Sequence, residues 1–462
     1  MMTSIFDLFQ LIASNVWLYG GTFLIVLSVL VFVHEWGHYI VARLCGVKVD
    51  TFSIGFGKEL FGFNDKNGTR WKFSLIPLGG YVQMFGDTDP ASAGHSKGEK
   101  KADGDVRPHT AQEKQVAFYT KPVWKRALIV AAGPGINFLF AIILLMGLYI
   151  VVGQPVTPPH AAGVIVGSAA EEAGFMPHDK VMRINGEKVR RFEDIRRIVT
   201  VALDTPLTFE IERGGDNIEL TVTPKKETLE DRFGFSHSRG VLGIIGPSNG
   251  LAIKAVSKVD GQDVVDEDSA RRALMDKMDQ QLTITMGEGE QANQFIVKPL
   301  QENNTALNEP DSPEYGSLVV SETKAEVFVH HGLWGGLTSA VQETWSITGS
   351  TLRALGQMVT GTRSATELGG LIRIGAIAGD MAQAGLIAII TFTALLSINL
   401  GLINLFPIPM LDGGHLVFYA IEALKGKPVP ERVQEYAFRV GFILLVGLML
   451  FANLNDVFQL VM

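Results

Sequence analysis

The sequence predicts a polytopic α-helical membrane protein with four transmembrane helices, a membrane-associated β-hairpin region and exported α/β units. Three observations lead to this fold class. Charged residues make up only 19% of the 462 residues, below the roughly 25% of a typical chain. The apolar residues are concentrated in four runs of about the length that crosses a bilayer. A long segment between the second and third runs is polar and mixes helix and strand patterns, which is typical of a water-exposed region.

The four apolar runs cover residues 17–42, 127–152, 381–411 and 440–455. With their flanking residues they give the membrane segments 1–45, 123–153, 381–423 and 435–458. A buried helix in a large soluble core could produce one such run, but four in one chain favour a membrane protein. The first run follows no basic segment and precedes no cleavage site of small residues, so we expect it to be retained.

The distribution of lysine and arginine predicts the orientation. Residues 1–16 and the tail after 455 contain neither, whereas the connections after the first and third spans are basic at their ends. Positive connections stay in the cytoplasm. We therefore expect both termini and residues 153–380 to lie on the outer side. Cys45 is the single cysteine, so this outer region cannot contain an internal disulfide.

Residues 46–122 are expected to form a cytoplasmic, membrane-associated β-hairpin region. β-favouring runs alternate with the glycine-containing pairs Asn67-Gly68 and Gly79-Gly80, which predict turns. Residues 86–117 are polar and rich in glycine, aspartate and lysine, so they are predicted to be a mobile loop.

The exported region begins with a unit at 161–247. Its pattern predicts a short helix at 169–173, a longer helix at 192–202 and two strands at 207–213 and 217–223. The spacing of Ala173-Gly174, Pro177 and Asp179 resembles a PDZ domain of the circularly permuted bacterial type. Such a domain implies binding of peptide C-termini.

A second unit is predicted at 248–322, because residues 258–264 repeat the pattern of 183–189. The repeat lacks the first unit's glycine–proline–aspartate segment, so it is a degenerate PDZ copy or an unrelated β-rich segment. Residues 330–380 are predicted to form amphipathic helices at the membrane surface, the first of them over about 335–359.

A metal site is indicated by the H-E-x-x-H pattern at His34, Glu35 and His38. Residues four apart on a helix lie about 40° apart around its axis, so both imidazoles can reach one metal. Glu35 can then act as general base on a water molecule at the metal. A solvated polar helix end is the alternative. Because ionisable groups inside a membrane span are costly, one bound zinc ion per chain explains the group better.

Asp412 is the candidate third ligand, since a catalytic zinc site takes three protein ligands and an open position. It follows Pro407 and Pro409, which break the third span, and precedes a glycine pair that permits close approach of the backbone. An N-cap role for Asp412 is the alternative. His415, three residues later, could approach the metal, but we expect it to have a structural role or to support the site without binding the ion. The remaining histidines are not expected to bind metal.

Several segments carry a family resemblance: HEWGH at 34–38, NLFPIPMLDGG at 404–414, GFG at 55–57, IPLGGYVQM at 76–84, KPVWKR at 121–126 and AGPGINF at 132–138. Together they resemble the site-2 protease family of intramembrane zinc metalloproteases (M50 type), and most closely its bacterial branch that regulates sigma-E. The resemblance implies that His34, His38 and Asp412 ligate zinc, that Glu35 is the general base, and that Asn404 binds substrate or the oxyanion.

The resemblance also implies a place and a task. The protein would lie in the bacterial inner membrane and perform regulated intramembrane proteolysis within the sigma-E stress response. Its partners would be the lipid bilayer and single-pass transmembrane substrates such as anti-sigma factors, with remnant signal peptides as a further class. No nucleic-acid partner is expected.

A helical substrate must be unwound before cleavage, and pairing with a sheet edge would extend it. We expect the segment around 76–84 to offer that edge, with contacts from Gly79, Gly80, Tyr81, Val82 and Gln83. An ordinary membrane anchor is the alternative for this segment. The exported units would filter substrates by size or bind a C-terminus exposed by an earlier cut.

Two other classes of protein remain open at this point. A catalytically inactive membrane scaffold that presents PDZ domains would explain the exported units, but not the intramembrane His-Glu-His group. A metal transporter would explain buried histidine and aspartate, but it has no need of Glu35 between two ligands. Tightly held zinc at one ion per chain favours the enzyme.

Overall fold

The computed structural model describes residues 17–86, 98–100, 106–247, 250–287, 289, 292–309, 312, 315–322 and 327–461. Four helices in this part of the chain are long and apolar enough to cross a membrane: Leu18–Leu44, Val123–Val151, Leu386–Asn404 and Glu431–Val461. The α-helices are α1 (Thr22–Leu44), α2 (Ala111–Val116), α3 (Val123–Val151), α4 (Ala169–Glu172), α5 (Phe192–Val201), α6 (Glu267–Met275), α7 (Leu333–Thr360), α8 (Leu371–Ala384), α9 (Leu386–Asn404), α10 (Asp412–Lys425) and α11 (Glu431–Val461).

Most strands lie between α3 and α7. In chain order they are β1 (Val49–Asn64), β2 (Arg70–Met84), β3 (Gly98–Lys100), β4 (Val106–Pro108), β5 (Gln154–Val156), β6 (Gly163–Ile165), β7 (Lys180–Ile184), β8 (Glu187–Lys188), β9 (Leu207–Arg213), β10 (Asp216–Val222), β11 (Lys225–Glu230), β12 (Ser236–Val241), β13 (Ile244–Ile245), β14 (Leu251–Ala252), β15 (Val256–Val259), β16 (Gln262–Asp263), β17 (Leu282–Met286), β18 (Asn293–Val297), β19 (Ser317–Leu318) and β20 (Val327–Val329). We call residues 154–329 the β-rich region.

Helix α3 is the central element of the helical part, because it contacts α1, α7, α9 and α10. Small residues permit these close crossings. A Cβ added at Gly37 of α1 would lie 2.5 Å from the backbone oxygen of Ala132 on α3. The hydroxyl of Ser397 on α9 donates a 2.8 Å hydrogen bond to the backbone oxygen of Asn137. Small side chains and interhelical hydrogen bonds are the usual means of holding helices together in a bilayer.

The third span is shorter than predicted. The predicted run 381–411 is divided at Gly385, where α8 has ended and α9 begins one residue later. Gly385 has φ +105, which a continuing helix cannot accommodate. The predicted break at the prolines is confirmed, because α9 ends at Asn404 and α10 begins only at Asp412. Asp412 therefore stands at the start of a separate helix.

The region 46–122 contains one long hairpin of β1 and β2. The turn at Asn67-Gly68 is confirmed, but the turn predicted at Gly79-Gly80 is wrong, because both glycines lie inside β2. The N-terminal part of β1 pairs on both of its edges. Ile54, for example, is opposite Gly80 on one edge and opposite Phe73 on the other. The hairpin is thus folded over, and the segment 80–84 becomes an outer strand.

The predicted mobile loop 86–117 lies partly outside the described residues, at 87–97 and 101–105. In its described part β3 pairs with β4, and α2 forms a short helix. Thr110 explains this helix: its hydroxyl accepts the backbone N–H of Glu113, and the Glu113 carboxylate accepts the N–H of Thr110. Such a capping box stabilises a helix start that the composition of the segment does not suggest.

The β-rich region contains two units with the same strand order. The first sheet runs β10-β9-β7-β8, and the second contains β18-β17-β15-β16, extended by β6 and β13. Helix α5 crosses between β8 and β9, and α6 holds the equivalent place between β16 and β17. The predicted helices and strands of the first unit are therefore confirmed to within two residues. Its identity as a PDZ domain stays a prediction.

Helix α7 joins the two parts of the molecule. Its predicted extent of about 335–359 is confirmed within two residues. On one side Ala340 packs into a core with Leu145 and Tyr149 of α3. On another side Glu343 forms an ion pair with Arg191 of the β-rich region. The helix thus holds the β-rich region against the helical part.

Candidate metal centre

Two histidines of α1 face α3 at the crossing of the two helices. His34 and His38 are one helical turn apart, and their Nε2 atoms lie 3.2 Å from each other. Gly133 of α3 makes room for them, because a Cβ there would lie 2.2 Å from His38 Nε2 and 2.9 Å from the His34 ring. Any side chain at Gly133 would displace both imidazoles. The close packing of α1 and α3 therefore directs the two rings to one point.

Asp412 reaches the same point from the start of α10. Its Oδ2 lies 3.2 Å from His34 Nε2, and its Oδ1 lies 3.6 Å from His38 Nε2. The preceding loop is tight, with Met410 in the left-handed region at φ +87. A Cβ at Gly413 would come within 2.3 Å of the backbone oxygens of the loop. The glycine after Asp412 therefore lets the loop fold back onto α10 and fixes the carboxylate.

The three side chains fit one metal ion. Ligand atoms of His34, His38 and Asp412 all lie within 4.8 Å of one another. Zinc holds nitrogen and oxygen ligands at about 2.0–2.1 Å in a tetrahedron, which places ligand atoms about 3.3 Å apart. The observed separations of 3.2–3.6 Å match that geometry. Two imidazoles and one carboxylate are also the donor set of many catalytic zinc sites.

Two further contacts orient the imidazoles from behind, and the sequence reasoning did not find them. His38 Nδ1 lies 2.9 Å from the backbone oxygen of Ile129. His34 Nδ1 lies 3.1 Å from the side-chain amide of Asn137. A backbone partner leaves no trace in a sequence. Asn137 did leave a signal, since it is an uncharged polar residue in the middle of the second apolar run.

His34, His38 and Asp412, which we call the metal cluster, line a cavity of about 190 Å³. Glu35 lines it beside β2, because a Cβ added at Gly80 would lie 3.3 Å from Glu35 Cγ, and the backbone N–H of Val82 faces the Glu35 carboxylate. Of the five predicted contact residues in β2, Gly80, Tyr81 and Val82 line the cavity, whereas Gly79 and Gln83 do not. The complete lining is His34, Glu35, His38, Gly80, Tyr81, Val82, Met84, Val130, Asn404, Met410, Leu411, Asp412 and His415.

Asn404 and His415 mark two further walls of this cavity. Asn404 is the last residue of α9, so the helix end places this residue in the cavity wall. His415 is buried, and its ring lies 5.1 Å from that of Phe438 on α11. It also lines a second cavity of about 500 Å³. It is not among the three clustered metal-binding side chains found in the described ranges.

Comparisons with known proteins agree with this geometry. The model of peptidase family M50 matches residues 22–448. An Agrobacterium fabrum protein whose name designates it a zinc metalloprotease is 38% identical over 439 residues, covering 95% of both chains. The regulator of sigma E protease of Haemophilus influenzae is 33% identical over 458 residues, covering 95% of this chain and 98% of the relative.

The family match at 22–448 spans the helical part and the β-rich region, and the positions of the three clustered side chains lie within it. The family match, the names of the relatives and the spacing of the ligand atoms lead to the same conclusion. The chain belongs to peptidase family M50, the site-2 protease family, and is a zinc metalloprotease.

Proposed function

We propose that this protein cuts single-pass membrane proteins within or at the edge of the bilayer. The observation that carries the proposal is the position of the metal cluster: His34 and His38 lie inside a helix long and apolar enough to cross a membrane. Asp412 joins them from a helix start that follows the third such helix. In this proposal His34, His38 and Asp412 hold zinc.

Glu35 is the general base in this proposal. When bound, zinc supplies a Lewis acid that activates a water molecule and polarises the peptide carbonyl. The Glu35 carboxylate lies beside the cluster, where it takes a proton from the attacking water and returns it to the leaving amine. Asn404, which also lines the cavity, donates its amide to the carbonyl oxygen as negative charge develops there.

The outer strand 80–84 presents the substrate. One edge of this strand pairs with residues 49–54, and its other edge has no strand partner within the described part of the chain. That second edge borders the cavity, because Gly80, Tyr81 and Val82 line it and a Cβ at Gly80 would lie 3.3 Å from Glu35 Cγ. A substrate segment that pairs there is extended, so its carbonyls are freed from helical hydrogen bonds and exposed to the cluster.

The placement of charges supports the orientation that accompanies this function. Basic residues in the connections after the first and third spans keep those connections, and the hairpin, in the cytoplasm. Both termini and the β-rich region then lie in the periplasm of a bacterial inner membrane. There the two units, as PDZ domains, bind peptide C-termini or exclude bulky substrates. Anti-sigma factors are the proposed substrates, in keeping with a Haemophilus relative named regulator of sigma E protease, and remnant signal peptides are a second class.

Replacement of Glu35 by glutamine tests this function. Glu35→Gln should keep the fold and one zinc per chain but lose cleavage, because an amide cannot accept the proton. Turnover of a model single-pass substrate is measured with matched amounts of folded enzyme. Glu172→Gln, an exposed change in the β-rich region, is the control and should cleave normally. Wild-type turnover by Glu35→Gln would contradict the assignment of the base.

A further inference from the structure

We propose that Asn137 is a positioning residue of the metal centre, which accepts a hydrogen bond from His34 Nδ1–H and fixes that ring with Nε2 towards the metal. The proposal rests on the assignment of His34 as a ligand. Asn137 does not touch the metal or the cavity, so it would act only through the imidazole. The test must therefore measure how tightly the metal is held, and not activity alone.

Burial is the first observation. Asn137 is completely buried in the apolar helix α3, where a polar amide is costly unless it is hydrogen-bonded. One amide atom, Nδ2, lies 3.1 Å from His34 Nδ1, and the other, Oδ1, is buried without a hydrogen-bond partner. Helix packing alone does not require this amide, because the bond from Ser397 goes to the backbone oxygen of Asn137.

The protonation of His34 decides which amide atom faces it. His34 Nε2 points to the cluster, 3.2 Å from Asp412 Oδ2, so this nitrogen must carry the lone pair that binds metal. A neutral imidazole then has its proton on Nδ1 and needs an acceptor there. An amide NH₂ cannot accept. The nitrogen and oxygen of an amide have the same shape, so a half-turn places Oδ1 against Nδ1–H and gives the orphaned oxygen a donor.

His38 shows the same arrangement with a backbone acceptor. Its Nδ1 faces the carbonyl oxygen of Ile129 at 2.9 Å. Ile129, Gly133 and Asn137 follow one another at intervals of four residues, so they share one face of α3. Gly133 leaves space for both rings. The acceptor at Ile129 orients the His38 ring, and the acceptor at Asn137 orients the His34 ring. Partners of this kind fix the tautomer of a metal-binding histidine and raise its basicity.

Three variants of full-length protein test the proposal. Asn137→Leu has a similar size and removes the acceptor, whereas Asn137→Asp keeps an acceptor oxygen. Asn137→Ala removes the acceptor without adding bulk, so it covers the case in which leucine does not fold. Asn399→Leu is the matched control, because its amide lies on α9 and accepts from the Thr351 hydroxyl. Zinc release is followed in detergent against a chelator, with thermal unfolding of the metal-free forms as the check on folding.

The leucine and alanine variants should lose zinc about 10–100-fold more readily than wild type, which is the usual cost of removing such a partner. Asn137→Asp and Asn399→Leu should stay within a few-fold of wild type. Normal zinc retention by Asn137→Ala would overturn the proposal. Equal losses in Asn137→Asp and Asn137→Ala would also overturn it, because they would indicate a packing role.

Asp412→Ala separates this inference from the proposed function. If Asp412→Ala holds zinc as tightly as wild type, the ligand assignment itself fails. If Asp412→Ala loses zinc while Asn137→Ala keeps it, the ligand assignment stands and only the role of Asn137 is wrong. In either case the result identifies which of the two claims has failed.

Discussion

At the scale of single residues, the metal centre depends on charge as well as geometry. Asp412 is the only acid in the cluster, and His34 and His38 bind a metal as neutral groups. The carboxylate is therefore the ligand that offsets the charge of zinc in a site with little water. Removing Asp412 should therefore weaken zinc binding more than removing Asn137 does. Loss of Asp412 removes a bond to the metal itself, whereas Asn137 acts only through His34.

We predict that Asp412→Ala weakens zinc binding more than about 100-fold, beyond the range expected for an indirect partner. Zinc per purified chain and cleavage of a single-pass substrate are measured together. Ala substitution at Asp380, an acid outside the cluster that pairs with Arg232, is the control and should leave zinc content unchanged. Full zinc and full activity in Asp412→Ala would refute the ligand set.

In the β-rich region, the environment of Asp179 also depends on both charge and geometry. It is completely buried, and its two oxygens accept from Arg213 at 2.7 Å each. The Asp179 carboxylate also accepts the backbone N–H of Met176 at 2.8 Å. Hydrogen bonding to Asp179 raises the pKa of the Arg213 guanidinium, which is charged in any case. These hydrogen bonds are the physical reason for an aspartate at the end of the 173–179 segment.

We predict that Asp179→Ala lowers the local stability around β9 by roughly 2–3 kcal/mol. Breaking a buried ion pair costs about 3–5 kcal/mol, and the partial exposure of Arg213 reduces that figure. Hydrogen exchange of the amides at 207–213 provides the measurement. Glu210→Ala, which removes an exposed pair on the same strand, should change it by less than about 1 kcal/mol. Equal effects of the two changes would contradict the prediction.

At the scale of elements, the folded hairpin is the feature with the clearest functional consequence. Successive backbone N–H groups of a β-strand point to opposite edges. The N–H groups of residues 81 and 83 therefore point to the edge opposite that of residue 82. Because the Val82 N–H is directed at Glu35, its neighbours direct their N–H groups at β1. A proline at residue 83 would therefore disrupt the sheet, whereas a proline at residue 82 removes only the donor that faces the cavity.

We predict that Val82→Pro lowers cleavage roughly tenfold while zinc content stays normal, since it removes the main-chain donor that faces Glu35 and the cavity, and one such hydrogen bond is worth about 1 kcal/mol. Val82→Ala keeps the N–H and is the control, with a smaller effect expected. Gln83→Pro should instead reduce the amount of folded protein. If Val82→Pro cleaves as well as Val82→Ala, the substrate is held elsewhere and the hairpin is an anchor.

At the scale of the whole molecule, the β-rich region is docked on the helical part at several points. Arg232 pairs with Asp380, and the backbone N–H of Ser236 donates to Gln459 on α11 at 3.1 Å. Arg191 pairs with Glu343 of α7. Strands β5 and β20, at the two ends of the region, pair with each other, and Val156 lies opposite Val327. The region is thus inserted at a single two-stranded stem.

This stem permits a precise deletion. Residues 157–326 can be replaced by Asn-Gly, which forms a two-residue turn between paired strands. We predict that the deletion protein still cleaves a short substrate, because the metal cluster and the 80–84 strand lie outside the deleted residues. It should also accept substrates with bulky outer domains that the full chain rejects. A folded, zinc-loaded deletion protein that rejects the same substrates would rule out a size filter.

The sequence alone determined those features that depend on local spacing and composition. Four apolar runs predicted four membrane-length helices, and the intervals within 34–38 placed two imidazoles on one helix face. The prolines before Asp412 predicted the helix break after which this acid begins a new helix. In each case the cause is periodicity or a backbone restriction within about a dozen residues, so no knowledge of distant contacts was needed.

Only the tertiary structure decided which distant groups meet. Asn137 contacts His34 across 103 positions of the chain, and Asp412 lies far from both histidines in sequence. The folded hairpin, with Gly80 inside a strand and not in a turn, depends on both edges of β1 finding partners. The local conformational propensity of this segment is the same whether Gly80 lies in a strand or in a turn. The choice is made by helix crossings and strand pairings, whose energy comes from contacts between segments that the sequence order keeps apart.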